Sequence, residues 1–266
     1  MNLGDSAVVL RPRTISEIAD LAFRVCFSVA FRLYLLLSLF TLLPALVLCL
    51  SLHYWADLTW AQVWLVAILV APFVEAVYSI AVSQLMFSPA LGPKPVFALM
   101  RKRFWSLVWS LVIRAVGGLI GLLTIFILMP FVFIRLLLLD EACLLEGLSG
   151  NRAYERSHRL VENRGSGSGF LMVLLLATIR IGGVILTELM CDGLVGDLLQ
   201  LGRPFGWLFR DGGSPASLAG FFLAVPLVAT VRFLYYIDSR TRADGWDIQL
   251  RFHGIRLRAE GERKAA

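Results

Sequence analysis

The strongest constraint on this chain is a set of apolar runs of membrane length, at about 28–52, 61–87, 104–139, 168–190 and 216–238. Roughly 20 apolar residues in a helix match a hydrocarbon core about 30 Å thick. Lipid offers no water to backbone N–H and C=O groups, so runs of this kind fold as helices that satisfy those groups internally. Composition agrees: 58% of the residues are hydrophobic and 17% are charged, against roughly 25% charged in soluble domains. The expected fold class is all-α, a polytopic integral membrane helical bundle.

Four of the runs have ordinary lengths, but 104–139 has 36 residues, and a straight helix of that size would reach about 54 Å. It has to tilt, break or double back. Gly117, Gly118 and Gly121 near its middle, with Pro130 beyond them, supply places to bend. Lysine and arginine help to choose. There are none in 51–61 and two in 191–215, but four in each of 88–103 and 140–167 and seven in 239–266. A single crossing by 104–139 would put both 140–167 and the basic C-terminal segment outside, against the usual cytoplasmic bias. An even number of passes is expected, as two short spans (104–121 and 122–139) or a membrane-embedded hairpin. Six crossings, or four plus a re-entrant pair, then place both termini in the cytoplasm. Residues 1–251 are expected to form one membrane domain, with 252–266 a basic, disordered tail. The first 27 residues carry Arg11, Arg13, Glu17, Asp20 and Arg24 and lack a short apolar core with a small-residue cleavage site. No signal peptide is expected to be removed.

Three short polar or amphipathic segments precede spans: TISEIADLAFR at 14–24, VFALMRKR at 96–103 and NRAYERSHRLVENR at 151–164. The spans after the second and third carry related strings, Ile113-Arg114-Ala115-Val116-Gly117-Gly118 and Ile179-Arg180-Ile181-Gly182-Gly183. The pattern reads as a repeated unit of interfacial helix plus membrane hairpin. It predicts equivalent depths for Arg114 and Arg180, with the glycines allowing close helix packing.

Charges inside the apolar runs are the main functional lead: Glu75, Arg114, Arg135, Arg180, Glu188 and Arg232. An ionised side chain at bilayer depth costs at least ~2.5–3.5 kcal/mol on insertion scales, so it faces a partner, a bundle interior or a wet cavity. Glu75 lies near the centre of the second run, as a proton or cation site or as the partner of Arg114, Arg180 or Arg232. Arg135 and Arg232 sit nearer the cytoplasmic ends of their spans and are expected to snorkel to phosphates. Glu188 is near an outer end. Only Glu75, Arg114 and Arg180 lie too deep for that explanation.

Catalytic and metal motifs are thin. No two of His53, His158 and His253 share a helical i, i+4 spacing for metal binding, and no His-Glu-x-x-His, Gly-x-Ser-x-Gly or P-loop string occurs. Cys26, Cys49, Cys143 and Cys191 lack the close pairing of a zinc or dithiol site. Gly-Ser-Gly-Ser-Gly at 165–169 reads as a flexible hinge. No cofactor and no metal are expected. The net charge of +6 fits cytoplasmic loops facing anionic headgroups rather than nucleic acid. Pro204-Phe205-Gly206-Trp207-Leu208-Phe209 is suited to the outer interface.

Three strings resemble one group of proteins. Leu10-Arg11-Pro12-Arg13-Thr14-Ile15-Ser16-Glu17-Ile18 leads into Asp20-Leu21-Ala22-Phe23-Arg24. Arg156-Ser157-His158-Arg159-Leu160-Val161 precedes a late span, and Tyr235-Tyr236-Ile237-Asp238-Ser239-Arg240-Thr241-Arg242 with Gly245-Trp246-Asp247 closes the membrane part. Together they resemble bacterial polytopic membrane proteins of the glycerophosphoryl diester phosphodiesterase membrane-domain-like group. The sequence departs from that pattern after Leu160, where Gly-Ser repeats replace basic and aromatic residues. The resemblance implies a bacterial inner-membrane protein without the separate catalytic barrel of fused members.

Two function classes follow. The first is a non-enzymatic subunit or scaffold that organises other envelope proteins or a second copy of itself. Its docking residues would be Arg156, Arg159, Tyr235, Tyr236, Asp238, Arg240, Arg242 and Trp246. The second is a small permease or lipid-handling protein in which the deep charges line a polar cavity. An intramembrane enzyme is not expected, because no paired aspartates, Ser-Lys dyad or zinc helix is legible. The bilayer is a partner on either reading.

Overall fold

Helix signals in the sequence open the fold. In the computed structural model the described residues are 13–86, 92–123, 129–200, 202 and 206–244. Leu10–Pro12, Pro204, Phe205, Trp246 and the basic tail with His253 lie outside them. Thr14 caps α1 (Ile15–Arg24): its hydroxyl accepts from Glu17 N, and Glu17 Oε2 accepts from Thr14 N at 2.9 Å. α1 turns Ile18 and Ala22 inward and leaves Glu17, Asp20 and Arg24 exposed. A wide π-type turn, Val25–Val29, leads into α2 (Phe31–Phe40) and α3 (Leu42–Tyr54). Thr59 and Gln62 form the next capping box, before α4 (Trp60–Leu85).

α5 (Pro93–Leu123) is followed by α6 (Met129–Arg135) and the three-residue α7 (Leu139–Glu141). α8 (Asn151–Glu162) buries Ala153, Ser157, Leu160 and Val161 along one face, and α9 (Ser166–Cys191) continues through a wide turn to Leu198. A single turn, α10 (Leu208–Asp211), precedes α11 (Pro215–Leu223) and α12 (Val225–Asp244). Helices account for 86% of the described residues, and no strand occurs among them. The chain is an all-α helical bundle.

Four stretches are long and apolar enough to cross a membrane: Phe31–Tyr54, Trp60–Leu85, Ser166–Leu198 and Pro215–Ala243. This is a membrane protein. The core of Pro215–Ala243 is 78% buried, against 11% for Ser166–Leu198. α12 is therefore the central helix, packed on α4, α9, α1 and α8. α9 lies outside and exposes Phe170, Leu174, Ile181, Leu186 and Met190. Where α9 meets α11 the backbones touch: a Cβ on Gly183 would lie 3.0 Å from the Gly220 carbonyl oxygen. Small residues permit this approach, and close packing supplies helix association in lipid.

The long run differs from its sequence expectation in three ways. The basic segment at 96–103 is not a separate surface helix but the opening turns of α5. α5 continues unbroken past Gly117 and Gly118 to Leu123. Gly117 serves packing rather than bending, since a Cβ there would meet Leu136 Cδ1 at 2.8 Å. The chain then returns antiparallel to α5, with Ser106 Oγ donating to Leu148 O at 2.8 Å and Ser110 Oγ to Asp140 Oδ1 at 3.0 Å. Over 122–139, expected as a second short span or the return limb of a membrane-embedded hairpin, the described residues hold the end of α5, the seven-residue α6, the turn after it and the first residue of α7. The Gly-Ser string is also not a hinge: Ser166–Gly169 form the first turn of α9, and Gly169 is buried against Ile134 and Val161.

Candidate functional site

Arg232 sits on the central helix with 4% of its surface exposed. Its Nη1 donates to Glu75 Oε2 on α4 at 2.9 Å, its Nη2 to Asp140 Oδ2 at 2.9 Å and its Nε to Glu141 Oε1 at 2.6 Å. One planar guanidinium, with five N–H donors, thus holds three carboxylates. Arg180 of α9 donates from Nη2 to the other oxygen of Glu75. Arg114 of α5 pairs with Asp140 Oδ2 at 2.9 Å, and Ser110, one turn earlier, holds Asp140 Oδ1. Three carboxylates face three guanidiniums, so the cluster is neutral when all are ionised. Desolvating each ion alone would cost several kcal/mol, and only mutual pairing offsets it. The second oxygen of Glu141 is buried without a hydrogen-bond partner among the described residues.

Local structure sets the two acids of α7. After α6 the chain turns at Leu136–Leu138, where Ser157 of α8 donates to Arg135 O at 2.8 Å and accepts from Leu138 N at 3.2 Å. That clasp delivers Asp140 and Glu141 to Arg232. Neither acid was among the expected charges, because they follow the apolar Leu136–Leu139 and read as the start of a loop. Two adjacent acids with no basic residue before Arg152 were the available signal. The snorkelling expectation for Arg232 is corrected as well. α12 runs on to Asp244 beneath α1 and α8, so this guanidinium meets carboxylates rather than headgroups.

Beside the cluster lies a cavity of about 240 Å³. Glu75, Arg114, Arg180 and Arg232 line it together with Phe133, Leu136 and Leu137 from the returning segment, Val173, Leu176 and Ala177 from α9, and Val228 from α12. Arg114 and Arg180 are the two guanidiniums with the most surface left, 23% and 21% of their side chains. Each uses only Nη2 in its ion pair. Arg180 also stacks over Phe221, 4.7 Å from the ring centre. Arg114 and Arg180, the paired arginines of the repeated string, reach one cluster from two helices.

The remaining sequence candidates divide. Arg135 turns its side chain to the exterior, and its carbonyl accepts from Ser157 Oγ. Glu188 is buried and ties down the loop before α11, accepting from Leu208 N at 2.9 Å and from Ser214 Oγ. Asp238 accepts from Arg164 Nη1, from Arg242 Nε at 2.9 Å and from Arg13 N at 2.6 Å, while Arg164 and Arg242 both donate to Arg13 O at 3.0 Å. Burial pulls the Arg164 guanidinium below its ordinary range, against the raising influence of Asp238. Arg164 also covers the Tyr235 ring at 4.4 Å. Arg156 grips Glu146 with both oxygens within 3.1 Å, and Tyr236 donates to Glu146 at 2.7 Å with Arg240 beside it.

These contacts correct the expectation of a docking surface. Tyr235, Tyr236 and Asp238 are at most 3% exposed, and Arg156 and Arg242 are committed to internal carboxylates. Arg159 remains exposed on α8, and Trp246 lies outside the described residues. Among the described residues no group of His, Cys, Asp and Glu is placed to hold a metal ion, and the four cysteines are free. No family model matches the chain, and neither a curated protein nor a solved structure matches it.

Proposed function

We propose that this protein is a non-enzymatic lipid-handling protein of the bacterial inner membrane, which takes the anionic end of an amphiphile into the cavity beside Arg232. The single observation that carries this is the cavity lining: three arginines and one glutamate within apolar walls. Phe133 of the lining, and Phe131, Phe170 and Leu174 on the same two helices as lining residues, turn large apolar surfaces outward, where acyl chains would lie. At about 240 Å³ it is smaller than the roughly 300–1,000 Å³ of pockets that enclose whole small molecules. It suits a headgroup whose chains stay in the bilayer. Guanidinium forks match phosphate and carboxylate oxygens in pairs.

The orientation belongs to the same proposal. Arg13, Arg164 and Arg242 gather around Asp238 at one end of the bundle, and a basic end is the cytoplasmic one. The kinship to the glycerophosphoryl diester phosphodiesterase membrane-domain-like group is likewise part of it. In its favour, parts of all three strings that carry the resemblance pack together: α1 and α8 both lie against α12.

Native mass spectrometry of the full chain from nanodiscs of mixed phosphatidylglycerol and phosphatidylcholine tests the proposal. Retention of phosphatidylglycerol that is lost in R114Q/R180Q is expected, and indifference to headgroup charge would overturn it. A scaffold is the second reading, favoured by the mutual neutrality of the six charges. It would gain from stoichiometric protein subunits surviving extraction with no bound lipid.

A further inference from the structure

The charge balance of the cluster constrains what can enter the cavity. Glu75, Asp140 and Glu141 are matched by Arg114, Arg180 and Arg232. An added anion would leave one uncompensated negative charge in an apolar setting, a penalty of several kcal/mol for a buried ion. One of the carboxylates has to become neutral when the anion arrives. Only Glu75 lines the cavity. Asp140 and Glu141 are at most 1% exposed. Asp140 accepts from Ser110, Arg114 and Arg232, and Glu141 is held by the Nε of Arg232.

Glu75 is also the competitor an anion would meet. It occupies the Nη2 of Arg180 and the Nη1 of Arg232. Arg232 keeps Asp140 and Glu141 if Glu75 lets go, whereas Arg180 has no other carboxylate among the described residues. Asp140 and Glu141 are the rival bases, and Glu141 has an oxygen without a hydrogen-bond partner among the described residues, but neither lines the cavity. From the elements packed on α4, Tyr34 of α2 is hydrogen-bonded with Thr230, and Arg32 is exposed. Of α3, His53 stacks on Trp60 at the far end of α4, near Cys49 and Tyr54. Tyr78 of α4 itself turns to Ser38 and Thr41. In the wide turn Ala142–Glu146, Cys143 is buried and Glu146 is engaged by Arg156. α11 has no titratable side chain. The basic residues at the start of α5 lie about three turns before Arg114.

We infer that a singly charged oxyanion binds in this cavity together with one proton, the ligand replacing the Glu75 carboxylate on Arg180 while Glu75 becomes neutral. The inference rests on the cavity being an anion site, as proposed above, and adds the charge of the ligand and the coupling to pH. Free anion and lipid headgroup share this chemistry. A dianion is disfavoured because the two remaining carboxylates do not line the cavity.

The test is isothermal titration of the full chain in neutral detergent with short-chain phosphatidylglycerol, dimethyl phosphate (a free phosphodiester that stays singly charged over this range) or phosphatidylcholine. Each titration is run in two buffers of different ionisation heat across roughly pH 5 to 8. Where Glu75 is ionised in the free protein, uptake of about one proton per anion is expected, with affinity falling about tenfold per pH unit as pH rises. E75Q is expected to bind with no proton uptake and no pH dependence. Binding of phosphatidylglycerol alone would assign the anion to a headgroup, and equal binding of dimethyl phosphate to a free anion; both support the coupling. Anion binding by the unaltered protein without proton uptake overturns the coupling and leaves the cavity standing. Proton uptake that persists unchanged in E75Q also overturns the role of Glu75. No binding of either anion at any pH overturns the cavity reading as well. The proton count on the unaltered chain keeps the test decisive if E75Q does not fold.

Discussion

Arg232 joins the bundle because its side chain carries several donors in one rigid plane. A lysine keeps the charge but offers three donors from a single nitrogen, and that geometry does not span Glu75, Asp140 and Glu141. Replacing Arg232 by Met would strand those carboxylates, at a cost of about 3–5 kcal/mol or more. Thermal unfolding in detergent should therefore show R232M and R232K both well below the unaltered protein, with R232M the lower. R135Q is the matched control. Its side chain is exposed, and it should move stability by no more than about 0.5 kcal/mol. Equal losses in R232M and R135Q would mean that the cluster does not hold the fold. At Asp238 a similar logic applies. D238N removes the charge that holds Arg164, Arg242 and the Arg13 backbone together. Faster amide exchange at 13–24 is expected, and unchanged protection there would show that α1 is held by apolar packing alone.

Between elements, the closest approach is that of α9 and α11, and it rests on two glycines. A Cβ on Gly220 would collide with Gly183 O and lie 2.6 Å from Thr187 Oγ1. Gly182, the neighbour of Gly183, has nothing within 4 Å of its Cβ position. G220A should thus destabilise by about 1–3 kcal/mol through overpacking. G182A should be neutral or stabilising by up to ~1 kcal/mol through helix propensity. A melting series with the order reversed would disprove the α9–α11 contact. The paired glycines were legible as packing residues from the repeated string. Which helix each would meet was not, because Gly183 finds its partner in a segment with no counterpart in the repeat.

For the whole molecule, the two ends of the bundle differ in chemistry. Arg13, Arg164 and Arg242 converge on Asp238 at one end. At the other, Trp64 donates to Gly212 O at 3.0 Å, and Glu188 secures the loop to α11. A membrane-impermeant maleimide should label N163C and D57C from opposite sides of sealed vesicles. Labelling of both from one side would overturn the topology. The apolar length of each run and the demand of lipid for internal backbone bonding are local properties, so the sequence alone determined that this is an all-α membrane protein. It also marked Glu75, Arg114 and Arg180 as too deep to reach water. The pairing of those charges joins residues from 26 (Arg114 with Asp140) to 157 (Glu75 with Arg232) positions apart, and it depends on which helices pack together and at what depth. Only the tertiary structure decided that Asp140 and Glu141 turn inward, that Arg232 holds them with Glu75, and that a cavity remains beside the four charges that line it.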